Sequence, residues 1–156
     1  MKITGGFILL AIMFLSQISL AQYVSDGKEI AFDGYDITSY FDDKPVKGHR
    51  MINFEYQDLN LAFSSVENRQ KFIDNPEKYL PAYGGWCATA VVNGTLIEPN
   101  FSLYKVQEGK LLFFEVKAFF NGQTQWEKDP DYHKLLADAQ FSSLHAAKTE
   151  KSKTKK

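Results

Sequence analysis

Cys87 is the only cysteine in the chain, and the first 21 residues read as an export signal. Export leads to oxidising surroundings, where small domains commonly lean on disulfides. One thiol cannot close an internal bridge, so packing alone must hold the fold. That thiol is then a reactive group, an intermolecular crosslink, a metal ligand or a small buried apolar side chain.

Lys2 supplies a positive start, Phe7 to Phe14 an apolar stretch, and Ser19-Leu20-Ala21 small residues before a cut at Gln22. The stretch is shorter than the roughly 20 apolar residues of a spanning helix, and no later segment approaches that length. The sequence therefore predicts a signal peptide at 1–21 and a secreted or periplasmic mature chain with no membrane span. The alternative is an uncleaved N-terminal anchor. Residues 22–147 are enough for a single domain. The whole chain has thirteen Phe and eight Tyr, eleven and eight of them within 22–147, so the core or a pocket must be rich in rings.

Residues 22–147 hold 12 Lys and Arg against 18 Asp and Glu, a net of −6. So acidic a body repels nucleic acid, and none is expected as a partner. The end, residues 148–156, carries five lysines, one acid and nothing apolar, and reads as a disordered tail.

Met51 to Tyr56 alternates apolar and polar residues, Gln57-Asp58-Leu59-Asn60 reads as a four-residue turn, and Leu61 to Phe63 completes a hairpin. Ser64 and Glu67 fit a capping box for a helix with Val66, Phe72 and Ile73 facing inward, ended by Asn75-Pro76. Pro76 to Tyr79 reads as a second short turn. Cys87 to Val92 is a short helix or a buried strand; six residues do not decide between them. Residues 102–106 and 110–116 form a second hairpin around Glu108-Gly109. Trp126 to Leu144 is helical, interrupted near Asp129-Pro130. No internal repeat is visible. The fold class is α+β: one small domain of hairpins alternating with short helices, closed by a helical C-terminal segment.

Several pieces, in order, resemble the YHS domain family in its exported single-domain branch. They are Gly34-Tyr35-Asp36 with Ser39-Tyr40-Phe41, Lys44 to Gly48, Phe63 to Arg69 with Phe72, Asn75 to Tyr79, and Tyr83 to Ala88. The resemblance covers most of residues 33–93 and implies a metal-binding module. It also departs from the pattern: Ser64 and Asn68 stand where such relatives carry two cysteines. A hydroxyl and an amide hold soft or borderline metals poorly.

What chemistry remains centres on Cys87. In the first turn of a helix its thiolate would be favoured, with Gly84 and Gly85 allowing close backbone approach and Tyr83 and Trp86 flanking it. His49 and Asp36 are the candidate partners for a copper or zinc site with Cys87, and Tyr35 and Tyr40 add rings to a pocket. Each has a plainer reading: a packed thiol, a solvated loop histidine, and an aspartate capping a turn. No Cys-x-x-Cys, Gly-x-Ser-x-Gly, His-Glu-x-x-His or phosphate loop is present, so no enzyme is expected. Asn93-Gly94-Thr95 and Asn100-Phe101-Ser102 match glycosylation sequons, and Asn93-Gly94 reads as a turn. The expected function is binding of a metal ion or small ligand around Cys87. The alternative is a non-catalytic ligand-binding or interaction module with a buried structural cysteine.

Overall fold

The computed structural model describes residues 23–153 apart from Asp26 and Asp43, leaving out the side chains at 148, 149 and 151–153. The export signal expected at 1–21 lies outside these residues. Within them, α-helices and six short strands in three antiparallel two-stranded sheets build an α+β domain. No described helix is long and apolar enough to cross a membrane.

The alternating stretch forms β1 (His49–Tyr56), paired with β2 (Leu59–Phe63). Leu59 and Asn60 belong to β2, so the connection is Gln57-Asp58, two residues where four were expected, and Gln57 takes φ 53°. Then come α1 (Val66–Asp74), α2 (Pro76–Tyr79) and α3 (Ala88–Val92). The second hairpin is β3 (Asn100–Gln107) with β4 (Lys110–Phe114), followed by the small ribbon β5 (Val116–Lys117) and β6 (Phe120–Asn121). Helices α4 (Gly122–Trp126) and α5 (Pro130–Lys153) end the domain. The backbone of α5 is thus helical across 148–153, where composition predicts a disordered tail.

The α1 cap is Ser65, whose hydroxyl accepts the Asn68 N–H at 3.0 Å, and not Ser64. Ser64 is held elsewhere: its N–H and hydroxyl donate to Asp36, and its oxygen accepts from the Asn68 side-chain amide at 3.1 Å. Val66 and Ile73 are exposed and Phe72 alone is buried, since Phe54, Tyr56 and Phe63 close their rings around it.

The chain is a structural duplication, contrary to the sequence reading. Adding 51 to each residue number carries the left-handed turn Ala31–Gly34 onto Ala82–Gly85, β1 onto β3 and β2 onto β4. Phe32 and Tyr83 have φ 51° and 53°, and Gly34 and Gly85 have φ 76° and 78°. Both hairpins slip register at the same place. His49 faces Phe63 and Asn53 faces Ala62; Asn100 faces Phe114 and Tyr104 faces Phe113. The backbone bond from Asp36 N–H to the Val46 carbonyl (2.9 Å) returns as Cys87 N–H to Ile97 (3.0 Å).

After the hairpins the offset grows to 54, because β5–β6 stands in the second half where the first half begins α1. Buried Phe72 then corresponds to buried Trp126. Asn75, whose side chain accepts the Lys78 N–H, corresponds to Asp129, which accepts that of Tyr132. Pro76 and Pro130 each follow as a first helical residue, where a missing N–H costs nothing.

Strand β4 lies between two cores because its side chains alternate. Leu111 and Phe113 join Phe32, Ile37, Tyr40 and Phe101 on one side. Leu112 and Phe114 join Tyr83, Val91, Trp126 and Ala137 on the other. The two halves meet at rings: Tyr40 lies edge-on to Tyr104 (4.9 Å) and to Phe113 (5.1 Å). These aromatic contacts supply the cohesion that a disulfide would otherwise provide.

Candidate functional site

Asp36 and Cys87 occupy one structural station, repeated. In each half this residue follows the left-handed turn and an aromatic residue, and its side chain accepts the N–H just beyond the hairpin. Asp36 Oδ2 accepts from Ser64 N–H at 2.8 Å, and Cys87 Sγ from Glu115 N–H at 3.3 Å. Both side chains latch the hairpin onto the turn.

The Asp36 latch is the stronger. Its Oδ2 also accepts from the Ser64 hydroxyl (2.6 Å) and the Asn68 amide (2.8 Å). Oδ1 accepts from the Thr38 N–H (3.0 Å) and hydroxyl (2.7 Å). Five donors fill about four lone-pair sites, leaving none for a metal ion. Burial raises the carboxyl, but the donors from Ser64, Asn68 and Thr38 outweigh it and hold the group below its usual range. Asp36 therefore works as a turn cap that also ties down α1.

Cys87 is only 1% exposed. It stands at the N-cap position of α3 without a side-chain capping bond, and its thiol is pushed up by burial, against the opposing N–H groups of Ala90, Glu115 and Thr89. The thiolate expected at this helix start is not favoured. With five residues, α3 offers too small a dipole to offset the desolvation of a charged sulfur.

The third candidate ligand, His49, is exposed at the start of β1, opposite Phe63. Among the described residues, no group of three or more His, Cys, Asp or Glu is placed to hold a metal ion. The Cys87, His49 and Asp36 constellation is therefore not assembled.

The ring and glycine candidates also divide. Tyr40 is buried, and its hydroxyl donates to the Phe101 carbonyl. The Tyr35 hydroxyl meets Ser102 Oγ at 2.9 Å, and Lys47 lies 3.7 Å above its ring. The Gly84 carbonyl accepts the Val24 N–H, and a Cβ on Gly85 would sit 3.0 Å from the Phe32 ring. Trp86 is half-buried between the two cores. Of these residues only Tyr83 reaches a cleft with a mainly apolar lining.

That cleft has a volume of about 400 Å³. It lies between the turn carrying Tyr83, the β3–β4 hairpin and α5. Leu80, Pro81, Ala82, Leu112 and Phe141 give it an apolar lining, with Tyr23 beside them. Gln107, Lys110, Lys134, Glu77 and Asp138 supply polar groups. The Tyr83 hydroxyl donates to Asp138 Oδ1 at 2.9 Å, and burial followed by this bond holds the phenol above its usual range.

The first half has no such opening at the equivalent residues. The counterparts of Tyr83, Gln107 and Lys110 are Phe32, Tyr56 and Leu59. Phe32 and Leu59 are fully buried, and the Tyr56 ring packs edge-on against Phe72 at 5.4 Å. The cleft is thus a core position that the second half leaves unfilled. Sequence reasoning found Tyr83 and the C-terminal helix but missed Gln107, Lys110 and the part α5 plays in the cleft, since a lysine after Glu108-Gly109 looks like an ordinary turn residue. No family model matches the chain, and neither a curated protein nor a solved structure matches it.

Proposed function

We propose that this chain is an exported, non-catalytic binding module of YHS-like fold, holding a small and largely apolar molecule in the cleft beside Tyr83. The observation that carries the reading is the unequal filling of two equivalent places. Where the first half buries Phe32 and Leu59 and half-buries Tyr56 against Phe72, the second sets the Tyr83 phenol, half-buried Gln107 and exposed Lys110 around about 400 Å³ of space. A pocket of that size and lining suits a small molecule.

The competing reading is copper or zinc held by Cys87. It gains little support from the geometry: Ser64 and Asn68, which take the thiolate positions of the resembled family, both spend their donors on Asp36. A metal at Cys87 would have to displace the Glu115 N–H and ionise a thiol that burial keeps neutral.

Calorimetric titration with naphthalene-2-carboxamide, a neutral apolar probe, tests the cleft. One molecule should bind per chain, and Ala82→Phe should abolish binding while leaving the melting temperature within a few degrees. A probe that binds equally well to Ala82→Phe would contradict the cleft reading. Titration with copper and zinc provides the second arm. Stoichiometric metal binding that disappears in Cys87→Ser would transfer the function to the thiol.

A further inference from the structure

The polar atoms left unused around the cleft decide what kind of molecule it takes, an inference that rests on the cleft reading above. The Gln107 side chain is oriented by Trp126, whose indole N–H donates to Gln107 Oε1 at 2.9 Å. Indole nitrogen only donates, so the amide oxygen must face it and the NH2 group, itself only a donor, remains. The Lys110 ammonium donates to the backbone carbonyl of Glu77 at 3.0 Å. Among the described residues it has no carboxylate within ion-pair distance.

The other polar groups are engaged. Lys134 lies between Asp138 Oδ2 at 3.0 Å and Glu108 Oε2 at 3.9 Å. Asp138 Oδ1 takes the Tyr83 hydroxyl. The exposed Glu77 carboxylate is the remaining charge, and the four charged residues lining the cleft sum to zero. Selection must therefore come from local hydrogen bonds and not from a net field.

We propose that the cleft binds an apolar monocarboxylate, its carboxylate on Lys110 and Gln107 and its body against Leu80, Pro81, Leu112 and Phe141. Gln107 and Lys110 face each other across the β3–β4 hairpin; two donors on one cross-strand pair call for an acceptor, and one cation balances one negative charge. At Lys110 and Gln107 an amine would meet donors only, and a phosphate dianion would leave a charge uncompensated there. These donors occur only in the open half: their counterparts are Tyr56 and Leu59. The second half therefore gained its recognition groups at the same residues that opened its core.

The test compares naphthalene-2-carboxylate with naphthalene-2-carboxamide by calorimetric titration of the untagged protein at neutral pH. The carboxylate should bind about tenfold more tightly, the scale of one charge-assisted hydrogen bond. Lys110→Met should remove that preference, bringing the carboxylate down to the affinity of the carboxamide for the same variant. Equal affinities in wild type, or a preference that survives Lys110→Met, would overturn the carboxylate assignment while the cleft stands. Binding of neither probe would overturn the cleft reading and the assignment with it.

Discussion

The two halves share a backbone and differ in what they do with it. The first packs tightly at these points: Asp36 collects five donors, Leu59 and Phe32 are buried, and Gly48 packs directly against β2. The second relaxes each of these. Cys87 gives a single weak acceptor in place of a carboxylate, Lys110 replaces Leu59, and Pro99 stands at the Gly48 position. The Gly48 N–H donates to the Gly34 carbonyl at 2.8 Å, a bond proline cannot make. One copy of the motif has kept the packing that holds the domain together, and the other has given up part of it for an opening.

The sharpest way to break this contrast is at the latches. Asp36→Ala leaves several buried donors without an acceptor and should cost about 4 kcal/mol of stability in urea denaturation at pH 7. Cys87→Ala loses one sulfur acceptor and a small buried volume, and should cost about 1–2 kcal/mol. Equal losses would mean that the halves are not divided as described. The Asp36 contribution also has a pH signature. Its folded pKa is lowered, so the stabilisation is present above the ordinary carboxylate value of about 3.9 and lost as pH falls through the folded value. The gap between wild type and Asp36→Ala should therefore narrow in acid.

Close packing in the first half predicts the next effect in size. A Cβ at Gly48 would lie 2.3 Å from the Ala62 backbone carbon, which cannot yield without moving β2. Gly48→Ala should cost about 3 kcal/mol, measured by the same denaturation. A neutral result would show that the hairpin is looser than its register implies.

Cys87 offers a milder test with the opposite pH sense. Its folded pKa is raised, so its contribution is fully present below the ordinary thiol value of about 8.5 and fades as pH rises through the folded value. The stability gap between wild type and Cys87→Ala should shrink in alkali. A gap that widens there would mean a stabilised thiolate.

The smallest effect comes from restoring the first half's residues to the second. Gln107→Tyr with Lys110→Leu should raise stability by about 1 kcal/mol, since apolar side chains refill a core position. The same pair should remove carboxamide binding from the calorimetric titration. Retained binding would show that the cleft does not depend on the residues that distinguish the halves.

Much of the fold was legible in local chemistry. Alternation in residues 51–56 and the Glu108-Gly109 turn marked both hairpins, and Asn75-Pro76 and Asp129-Pro130 marked helix boundaries. The duplication was not legible. Between residues 31–64 and 82–115, only Ala31/Ala82, Gly34/Gly85, Thr38/Thr89, Leu61/Leu112 and Phe63/Phe114 are identical. What the halves share is backbone geometry: non-glycine residues at positive φ and a register slip, neither of which side-chain periodicity reports. The cap at Ser65 was missed because two serines stand together, and the tertiary bond to Asp36 decides between them. Asp36 and Cys87 stood out by residue type, which suggested ligands where the fold uses acceptors. The cleft draws on residues near 80, 110 and 138, and no local pattern joins three such segments.

Hydrogen-bonded burial of Cys87 is the point on which the account turns, because it moves function from the thiol to the cleft. The rate at which the native protein reacts with a disulfide reagent, followed across increasing urea at pH 8, measures it directly. Reaction only through global unfolding, with a rate that tracks the measured stability and is unaffected by a chelator, is the predicted result. Rapid labelling in the absence of urea, or protection that a chelator removes, would contradict it.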